Sequence, residues 1–280
     1  MKLSIITINY NDKDGLAKTL DSVWNQQQVF DDFEHIVIDG GSTDGSVGVI
    51  EQYAGQLSYW VSEPDKGIYN AMNKGIAQAK GEYLLFLNGG DWLAPGILSS
   101  LPFDTFVEDI VYGDFIYVKE NGSKIYVRYA DRLTDLFLLV YSIGHPASFI
   151  RRSLFRDGGY DESFRVVSDW AFFCEQIIKN RCSVRHIRYD ISYFNMYGIS
   201  ARKDMQSIIK EEHHRFLAEA NIPVTPMLHD NIIEKIETLE HTFSYLTKSK
   251  TDAFLASKRM QYYTRKFIKI MFIIKKIFKQ

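Results

Sequence analysis

Acidic and amide side chains follow several apolar stretches of this sequence, at points where a β-strand would end. They are Asn9, Asp39, Glu63, Asp65 and Asp91. Carboxylate oxygens can bind a hard cation or accept hydrogen bonds from a ligand. Because ligands of open α/β sheets bind at the carboxyl ends of the strands, we expect these side chains to converge on one crevice. Their types and order predict a nucleotide or sugar-phosphate site.

Two glycine-containing turns carry part of this set. Asp39–Gly45 follows an apolar stretch, and its glycines would let the backbone lie close to a ligand. The alternative is an ordinary capped turn in which Ser42 or Asp44 is the helix N-cap. Asn88–Asp91 offers one carboxylate and one amide, whereas a divalent cation between two phosphates needs one or two carboxylates from the protein. Neither turn indicates a function by itself.

Two helix starts provide further candidates. The segment Ser62–Gly75 places polar groups before and within the first turns of a helix, where an anion would be favoured and Lys66 would add positive charge. Ile68 and Met72 in this segment are interpreted as core residues. Asp169 opens an aromatic-rich helix, either as its N-cap or, if it faces the crevice, as a base.

Alternating strands and helices must position these residues. The apolar patterns predict strands at Leu3–Ile8, Phe33–Ile38, Tyr59–Val61 and Tyr83–Leu87, with helices around Leu16–Trp24, Val47–Tyr53 and Ile68–Ala79. Strands that alternate with helices on short loops are typical of a parallel sheet covered on both faces.

Beyond residue 105 the alternation loosens. A hairpin is predicted first, since two strand-like stretches flank a polar, glycine-containing turn. The predicted elements are strands Ile110–Tyr117 and Lys124–Tyr129, a helix near Asp131–Val140, a strand at Ala147–Ile150, a helix at Asp169–Lys179, an extended segment at Val184–Tyr193, and helices Met205–Ala220 and Asn231–Leu246.

The composition excludes several protein classes. The chain has 280 residues with 46% hydrophobic and 24% charged side chains, which is unlike a disordered, collagen-like or disulfide-scaffold protein. Cys174 and Cys182 match no zinc or C-x-x-C spacing, so we expect reduced cysteines. No stretch reaches the ~18 apolar residues of a spanning helix. The first apolar run breaks at Asn9, too early for a signal peptide, and we expect a cytoplasmic body.

The formal net charge of −2 hides an uneven distribution, because no acidic residue follows Asp252 while eight basic ones do. As a helix, residues 258–280 would place Met260 and Phe267 on one face and Lys269 and Lys276 on the other. Such a helix suits the headgroup region of an anionic membrane. The alternative is packing on the body or on a twin chain, as in a homodimer. A nucleic-acid partner is not expected, since the body is acidic.

The motifs taken together resemble the family 2 glycosyltransferases, inverting enzymes of the GT-A fold, over about Lys2–Ser200. The matching segments are Ser4–Asn11, Asp39–Ser46, Ser62–Gly75 and Phe86–Asp91, followed by Gly144–Arg152, Ser168–Trp170 and Tyr197–Ser200. The resemblance implies an α/β fold of GT-A type, with a Rossmann-like, mostly parallel central sheet flanked by helices and a C-terminal helical extension.

The resemblance also assigns roles on the donor side. The implied donor nucleotide-binding residues are Asn9, Tyr10, Asp39, Asp65, Lys66 and Asn88. Asn9 and Tyr10 would lie along the nucleotide, and Asp39 would accept a hydrogen bond from a uracil ring. Asp65 and Lys66 would line the pocket near the base and the ribose.

The remaining roles concern the metal and the acceptor. Asp91 would hold Mg²⁺ or Mn²⁺ against the diphosphate, and Asp169 would be the general base. His145 and Ser200 belong to acceptor-side motifs, with the loop at Ser200 closing over the site. The sequence departs from the family pattern at Asn88 and Gly90, at Asn70 and at Ser168, where relatives often carry acids.

These implications define the expected organisation and function. Residues 1–200 would form the GT-A domain, with a nucleotide-sugar half at about 1–103 and an acceptor half at about 104–200, followed by a helical extension at 201–252 and the basic helix at 253–280. The chain would transfer a hexosyl or N-acetylhexosaminyl group, with inversion, from a UDP-linked donor to a hydroxyl of a glycan or lipid-linked acceptor.

Such a transferase would serve the synthesis of a bacterial surface polysaccharide, peripherally at the inner face of the cell membrane. Two alternatives are kept. The first is a degenerate transferase that only binds glycan or membrane. The second is a sugar nucleotidyltransferase, although the first turn, Asn9–Asp14, lacks the glycine-rich, basic loop that would grip a triphosphate.

Overall fold

The computed structural model describes residues 1–27, 30–130, 133–156, 158–195, 203–220, 222, 230 and 232–234. The chain divides into two compact units, Met1–Thr225 and Pro226–Gln280. Within the second unit the four described residues are helical. Most of the predicted helix Asn231–Leu246, and the whole predicted basic helix at 253–280, therefore lie outside the described residues, as does Ser200.

The first unit follows the predicted order of elements. The strands are β1 Leu3–Asn9, β2 Phe33–Asp39, β3 Tyr59–Ser62, β4 Tyr83–Phe86, β5 Trp92–Leu93, β6 Ile110–Val118, β7 Lys124–Val127, β8 Ser148–Arg151 and β9 Val184–Asn195. The helices are α1 Lys13–Gln27, α2 Ser46–Tyr53, α3 Ile68–Gln78, α4 Ile97–Ser100, α5 Asp135–Val140, α6 Ser168–Phe173 and α7 Gln206–Glu219.

The strands form one mixed sheet in the order β3-β2-β1-β4-β8-β6-β9-β5, with β7 paired to β6. The first four strands are parallel to one another, as the alternation of strands and helices predicts. The second half differs, because β8 is antiparallel to both β4 and β6, and β7 is antiparallel to β6. Parallel pairing returns only between β6 and β9.

Burial explains why the central strands are continuous apolar runs. Every residue of β1, β2 and β4 is buried, as expected for strands covered on both faces. Leu3 and Ile5 belong to one core cluster, whereas Ile6 and Ile8 belong to another. The alternation along β1 therefore supplies two separate cores, one on each face of the sheet.

The carboxyl ends of the parallel strands are in register. Asn9 pairs with Asp39 across β1 and β2, and Asp39 pairs with Ser62 across β2 and β3. After β4, the Gly89 N–H donates to the Ile8 carbonyl at 2.8 Å, which brings the following turn to the same edge. The strand ends that carry Asn9 and Asp39 and the turn after β4 therefore lie at one edge of the sheet, as predicted. Of the five residues predicted to share a crevice, Asp91 alone is among those that line the cavity at this edge.

The last two helices of the first unit, α6 and α7, pack against each other. The helix predicted at Asp169–Lys179 is present as α6 and a π-helical continuation, Cys174–Lys179. The ring centroids of Trp170 on α6 and His213 on α7 are 4.0 Å apart. Both cysteines are unpaired, as predicted. Among the described residues, none of the helices has the length and apolarity needed to cross a membrane.

Candidate active site

A dense hydrogen-bond network closes the tips of β1, β2 and β3. Asp39 Oδ1 accepts from Asn9 Nδ2 at 2.8 Å and from Ser42 Oγ at 2.6 Å. Asp39 Oδ2 accepts from the Ser42 N–H at 2.8 Å and from Ser62 Oγ at 2.6 Å. Although burial alone raises the pKa of Asp39, these hydrogen bonds together lower it below its ordinary value. The carboxylate therefore remains ionised and fixes three loop tips.

This arrangement bears on the role predicted for Asp39. The side chain is 0% exposed, and four donors already occupy its two oxygens. A uracil N–H could be accepted only if one of these donors, such as the Ser62 hydroxyl, turned away. The contact with uracil stays a prediction, and the observed role of Asp39 is to order the turn.

The turn after β2 also contains a helix cap. Asp44 Oδ1 accepts from the Ser46 N–H at 3.0 Å, at the start of α2, while the N-cap position itself is Gly45 with φ 99°. Asp44 Oδ2 accepts from the Lys13 N–H at 2.8 Å and so joins this turn to α1. The alternative that Ser42 or Asp44 is the N-cap of this helix is therefore wrong, since the N-cap is Gly45 and makes no side-chain hydrogen bond. Ser42 instead contacts Asp39.

A slot at Gly40 brings together two of the predicted nucleotide residues. A methyl group at Gly40 would lie 2.5 Å from Asp65 Oδ2 and 3.2 Å from Tyr10 Cδ2, so only glycine permits this approach. Tyr10 is 67% exposed. Lys66, which follows Asp65 in the sequence and precedes α3, is also exposed. Asp65 Oδ1 accepts from the Gly67 N–H at 2.9 Å. The slot offers one aromatic face and one carboxylate to solvent.

The central feature of the edge is a cavity of about 180 Å³. It is lined by Asp12, Ile68, Tyr69, Met72, Asn88, Gly89, Asp91, His145, Pro146, Val166, Asp169, Phe194 and Asn195. Four predicted site residues, Asn88, Asp91, His145 and Asp169, therefore share one cavity. Ile68 and Met72, interpreted from the sequence as core only, also form part of its wall.

Asp91 lies on the floor of this cavity. Its carboxyl group is 4% exposed, and its Oδ1 accepts from the Asn195 N–H at 2.8 Å. Burial raises the pKa of Asp91 to about 8, and the negative charge of Asp12 adds to the shift. Thr19 fixes the turn, because its hydroxyl donates to the Asp91 carbonyl at 2.6 Å and accepts from the Gly90 N–H at 3.0 Å.

These residues fit a divalent cation that shares its ligands with a diphosphate. Among the described residues no group of three or more His, Cys, Asp or Glu side chains could hold a metal. Asp91 and Asp12 supply two carboxylates to the cavity, and Asn88 Oδ1 is buried there without a hydrogen-bond partner. One or two carboxylates are what Mg²⁺ takes from a protein when phosphates and water complete its coordination.

Asp169 lines the same cavity. Its Oδ1 lies 2.8 Å from the Tyr69 hydroxyl, which also lies 2.6 Å from the Val166 carbonyl. The N-cap of α6 is Val167, without a side-chain hydrogen bond, so the alternative that Asp169 caps this helix is wrong. With its side chain 29% exposed, Asp169 faces the cavity, as a base requires.

Three buried aromatic groups surround the Asp169 carboxylate. Burial raises the pKa of Tyr69 well above its ordinary value of 10.0, and the charge of Asp169 adds to this, so Tyr69 keeps its proton. Burial lowers the pKa of His145, and Asp169 opposes that shift. His145 Nε2 lies 2.8 Å from the Tyr160 hydroxyl, and its Nδ1 lies 4.0 Å from Asp169 Oδ2. Asp169 Oδ2 is thus left to face the cavity.

The backbone before α6 is held by a residue from α7. Glu212 accepts from three consecutive N–H groups, those of Arg165 at 2.6 Å, Val166 at 3.0 Å and Val167 at 3.2 Å. The side chain is 9% exposed, so these bonds are shielded from water. Since the Val166 carbonyl in turn contacts Tyr69, one carboxylate anchors the segment that presents Asp169.

Several of these residues are absent from the sequence-based set. Asp12, Tyr69, Asn195 and Glu212 have no predicted role, and Ser200 lies outside the described residues. Asp12 follows a predicted strand, as the candidates do, and could have been selected on that ground. Tyr69 lies within the segment Ser62–Gly75 but gives no separate signal. Glu212 lies on an amphipathic helix far along the chain, where only the fold shows its contacts.

Comparisons with known proteins show the family to which the chain is similar. The family described as glycosyl transferase family 2 matches residues 4–175. An uncharacterised glycosyltransferase of Mycobacterium tuberculosis is 32% identical over 222 residues, covering 74% of this chain and 79% of the relative. A PGL/p-HBAD biosynthesis glycosyltransferase of Mycobacterium bovis BCG is 32% identical over 203 residues, covering 70% and 77%.

Solved structures are similar at lower identity. Staphylococcus aureus TarS in complex with UDP-GlcNAc has a TM-score of 0.62 at 19% identity, covering 83% of this chain and 70% of TarS. The mannosyltransferase PcManGT of Pyrobaculum calidifontis, in complex with GDP-Man and Mn²⁺, has a TM-score of 0.59 at 16% identity, covering 94% and 79%. These likenesses confirm the predicted α/β fold class.

Proposed function

The chain belongs to glycosyl transferase family 2, with a fold of GT-A type, and on that premise we propose how this glycosyltransferase of glycan biosynthesis works. Its donor is a UDP-linked hexose or N-acetylhexosamine, and its acceptor is a hydroxyl group of a glycan or of a lipid-linked sugar. Transfer proceeds with inversion at the anomeric carbon.

The observation that carries the proposal is the placement of Asp169 and Asp91 on one cavity of about 180 Å³. An acceptor hydroxyl is a poor nucleophile near neutral pH, so a carboxylate must take its proton as it attacks. Asp169 Oδ2 is available for this, because Oδ1 is in contact with Tyr69. A base on one side and a leaving diphosphate on the other give a single displacement, which inverts the configuration.

Asp91 would hold the divalent cation, Mg²⁺ or Mn²⁺, with Asp12 and Asn88 beside it. When bound, such an ion stabilises the negative charge that develops on the leaving diphosphate. Burial without an opposite charge nearby disfavours the ionised form of Asp91, and a bound cation would supply that charge. The Mn²⁺ bound to PcManGT supports this choice by similarity.

The donor is proposed from the edge at β1–β3. TarS is seen with UDP-GlcNAc, which supports a UDP-linked donor here. Tyr10 and Asp65 at the Gly40 slot, with Lys66, would contact the base and ribose, and the network of Asn9 and Asp39 would order the turn around them. A membrane-bound acceptor would suit the basic residues 253–280, which we propose contact an anionic leaflet.

The decisive experiment is Asp169→Asn. A thermal-shift screen of nucleotide sugars with Mn²⁺ first identifies the donor, and turnover is then measured as release of the nucleoside diphosphate. We expect turnover to fall about 10²–10⁴-fold, the usual contribution of a general base, while the donor dissociation constant is unchanged. The matched control is Asp161→Asn, an exposed carboxylate of the same loop region. Normal turnover by the Asp169→Asn variant would remove the proposed role of this residue.

A further inference from the structure

A second, larger cavity opens on the strands of the acceptor half. We infer that it binds a neutral carbohydrate, namely sugar units of the acceptor, an inference that rests on the proposed glycosyl transfer. Its volume is about 590 Å³, within the range of small-ligand sites. It is lined by Asp114, Arg128, Tyr129, Ala130, His186, Arg188 and Asp190, from β6, β9 and the segment after β7.

The floor of the cavity is a buried and ordered polar pair. His186 Nε2 lies 2.8 Å from Asp114 Oδ1, and their side chains are 4% and 7% exposed. The same Asp114 oxygen accepts from the Tyr129 N–H at 3.1 Å. Because every partner is fixed by a strand or by its continuation, the floor presents polar atoms in one defined arrangement.

The wall is made by an ion pair across two strand segments. Arg128 contacts Asp190 through both terminal nitrogens of its guanidinium, with Nη2 2.9 Å from Oδ2. The position of Asp190 results from irregular pairing, since the register between β6 and β9 shifts on both sides of Asp114. Bulges of this kind often re-aim side chains next to functional sites.

The charges of the cavity point to a neutral ligand rather than an anion. Its two arginines, Arg128 and Arg188, are balanced by the two carboxylates of Asp114 and Asp190. An anion would therefore meet as much repulsion as attraction. Hydroxyl groups both donate and accept, so a sugar can use guanidinium donors and carboxylate acceptors together.

An exposed aromatic ring beside one of the lining residues suits the same ligand. Tyr126 of β7 is 56% exposed, and the Arg128 guanidinium lies 5.1 Å from its ring centroid. This distance places the Tyr126 ring beside Arg128, which lines the cavity. An exposed ring next to paired polar groups offers an apolar surface for the C–H face of a sugar.

A hydrogen bond links this cavity to the segment that precedes His145. The Tyr129 hydroxyl accepts from the Gly144 N–H at 2.6 Å, directly before His145. His145 in turn lines the cavity of Asp169. Tyr129, which lines the second cavity, is thus hydrogen-bonded to the segment that carries His145.

The test measures sugar binding directly. Saturation-transfer NMR is recorded with neutral disaccharides, namely maltose, cellobiose, lactose and chitobiose, and separately with sulfate as competitor. We expect saturable contact with at least one disaccharide, unaffected by sulfate, and weakened about tenfold by Tyr126→Ala and by Arg128→Gln. The matched control is Tyr59→Ala on β3, a tyrosine that is 36% exposed at the other edge of the sheet.

Three results would overturn the inference: no saturable binding of any of the four disaccharides, equal binding by Tyr126→Ala and the wild-type chain, or displacement of the sugar by sulfate. The proposed transfer is judged separately. Donor hydrolysis should persist in Tyr126→Ala, and sugar binding should persist in Asp169→Asn. A wild-type chain that binds sugar but hydrolyses no nucleotide sugar would contradict the proposed transfer and leave the sugar-binding cavity in place.

Discussion

Two parts of the cavity lining, which we name for their proposed roles, are held in different ways. The donor wall, with Asn88 and Asp91, follows β4 in a parallel sheet whose strand tips are already in register. The base wall, with Asp169, begins after a loop and is fixed by side chains from distant elements. Tyr69 reaches Asp169 across 100 positions of sequence, and Glu212 reaches Val166 across 46.

This difference predicts that the affinity for the donor and the rate of turnover can be changed separately. A donor wall built on consecutive strands and helices forms wherever the sheet forms, so donor binding should tolerate changes elsewhere. The base wall depends on a few buried hydrogen bonds, which orient one carboxylate. Loss of those bonds should reduce turnover while leaving the affinity for the donor unchanged.

Among the residues that hold the base wall, Glu212 is expected to give the largest effect, in the variant Glu212→Gln. The amide has a single acceptor oxygen, so at least one of the three N–H groups at Arg165, Val166 and Val167 loses its partner. A small displacement of a catalytic group can lower turnover about 10²-fold. We therefore expect kcat to fall by that factor, with the donor KM unchanged, in steady-state assays of diphosphate release.

The control for this prediction is Glu211→Gln, since Glu211 is exposed on the same helix. Glu212→Ala should additionally lower the free energy of unfolding by about 1–3 kcal/mol, because buried donors are left without acceptors. Equal kcat for Glu212→Gln and Glu211→Gln would show that the base wall does not depend on α7.

An effect of intermediate size is expected on the pH dependence of the free energy of unfolding. His35 of β2 is 4% exposed, its Nε2 lies 2.9 Å from Thr7 Oγ1, and burial lowers its pKa from 6.5 to about 3. Below about pH 6.5 the unfolded chain takes up a proton at His35 that the folded chain does not. The contribution of His35 to the free energy of unfolding is therefore fully present above pH 6.5 and is lost as the pH falls toward 3. Between about pH 7 and pH 5 this amounts to about 2 kcal/mol.

Denaturant unfolding at the two pH values tests this contribution. His35→Gln should remove about 2 kcal/mol of the pH dependence, since an amide does not titrate. Burial also lowers the pKa of His145 on the base wall, so His145→Gln should likewise reduce the pH dependence of the free energy of unfolding. An unchanged pH dependence in His35→Gln would mean that other groups dominate, and the buried histidine of the donor half would then have no such role.

The sequence predicted the elements of residues 1–103 well, because their signals are local. The strand predicted at Leu3–Ile8 is found at Leu3–Asn9, and the helix predicted at Ile68–Ala79 is found at Ile68–Gln78. Buried parallel strands are continuous apolar runs, and their helices show one apolar face, so each element is visible in its own residues. Asp91 was identified for the same reason, as the acid after a strand.

The rest of the fold and of the candidate site depends on contacts between residues that are far apart in the sequence. The saturation of Asp39 by four donors requires β1, β2 and β3 together. The antiparallel insertion of β8 between β4 and β6 has no periodic signal, because pairing partners are chosen by tertiary packing. Likewise, Glu212 looks like any polar residue of a helix until its three N–H partners are known.

The smallest effect is expected from Tyr69→Phe, which removes one hydroxyl and keeps the buried ring. Asp169 Oδ1 then loses a contact of 2.8 Å, and the carboxylate can rotate within its wall. We expect kcat to fall about tenfold, equivalent to about 1.4 kcal/mol, with the donor KM unchanged.

Tyr53→Phe is the matched control, because the Tyr53 hydroxyl also contacts a carboxylate, that of Asp21, at the protein surface. Equal kcat for the two variants would show that Tyr69 only packs. The order of effects is itself informative, since Glu212 holds the backbone of the base wall whereas Tyr69 holds the carboxylate. If Tyr69→Phe lowered kcat more than Glu212→Gln, the orientation of the Asp169 side chain, rather than the position of its backbone, would limit turnover.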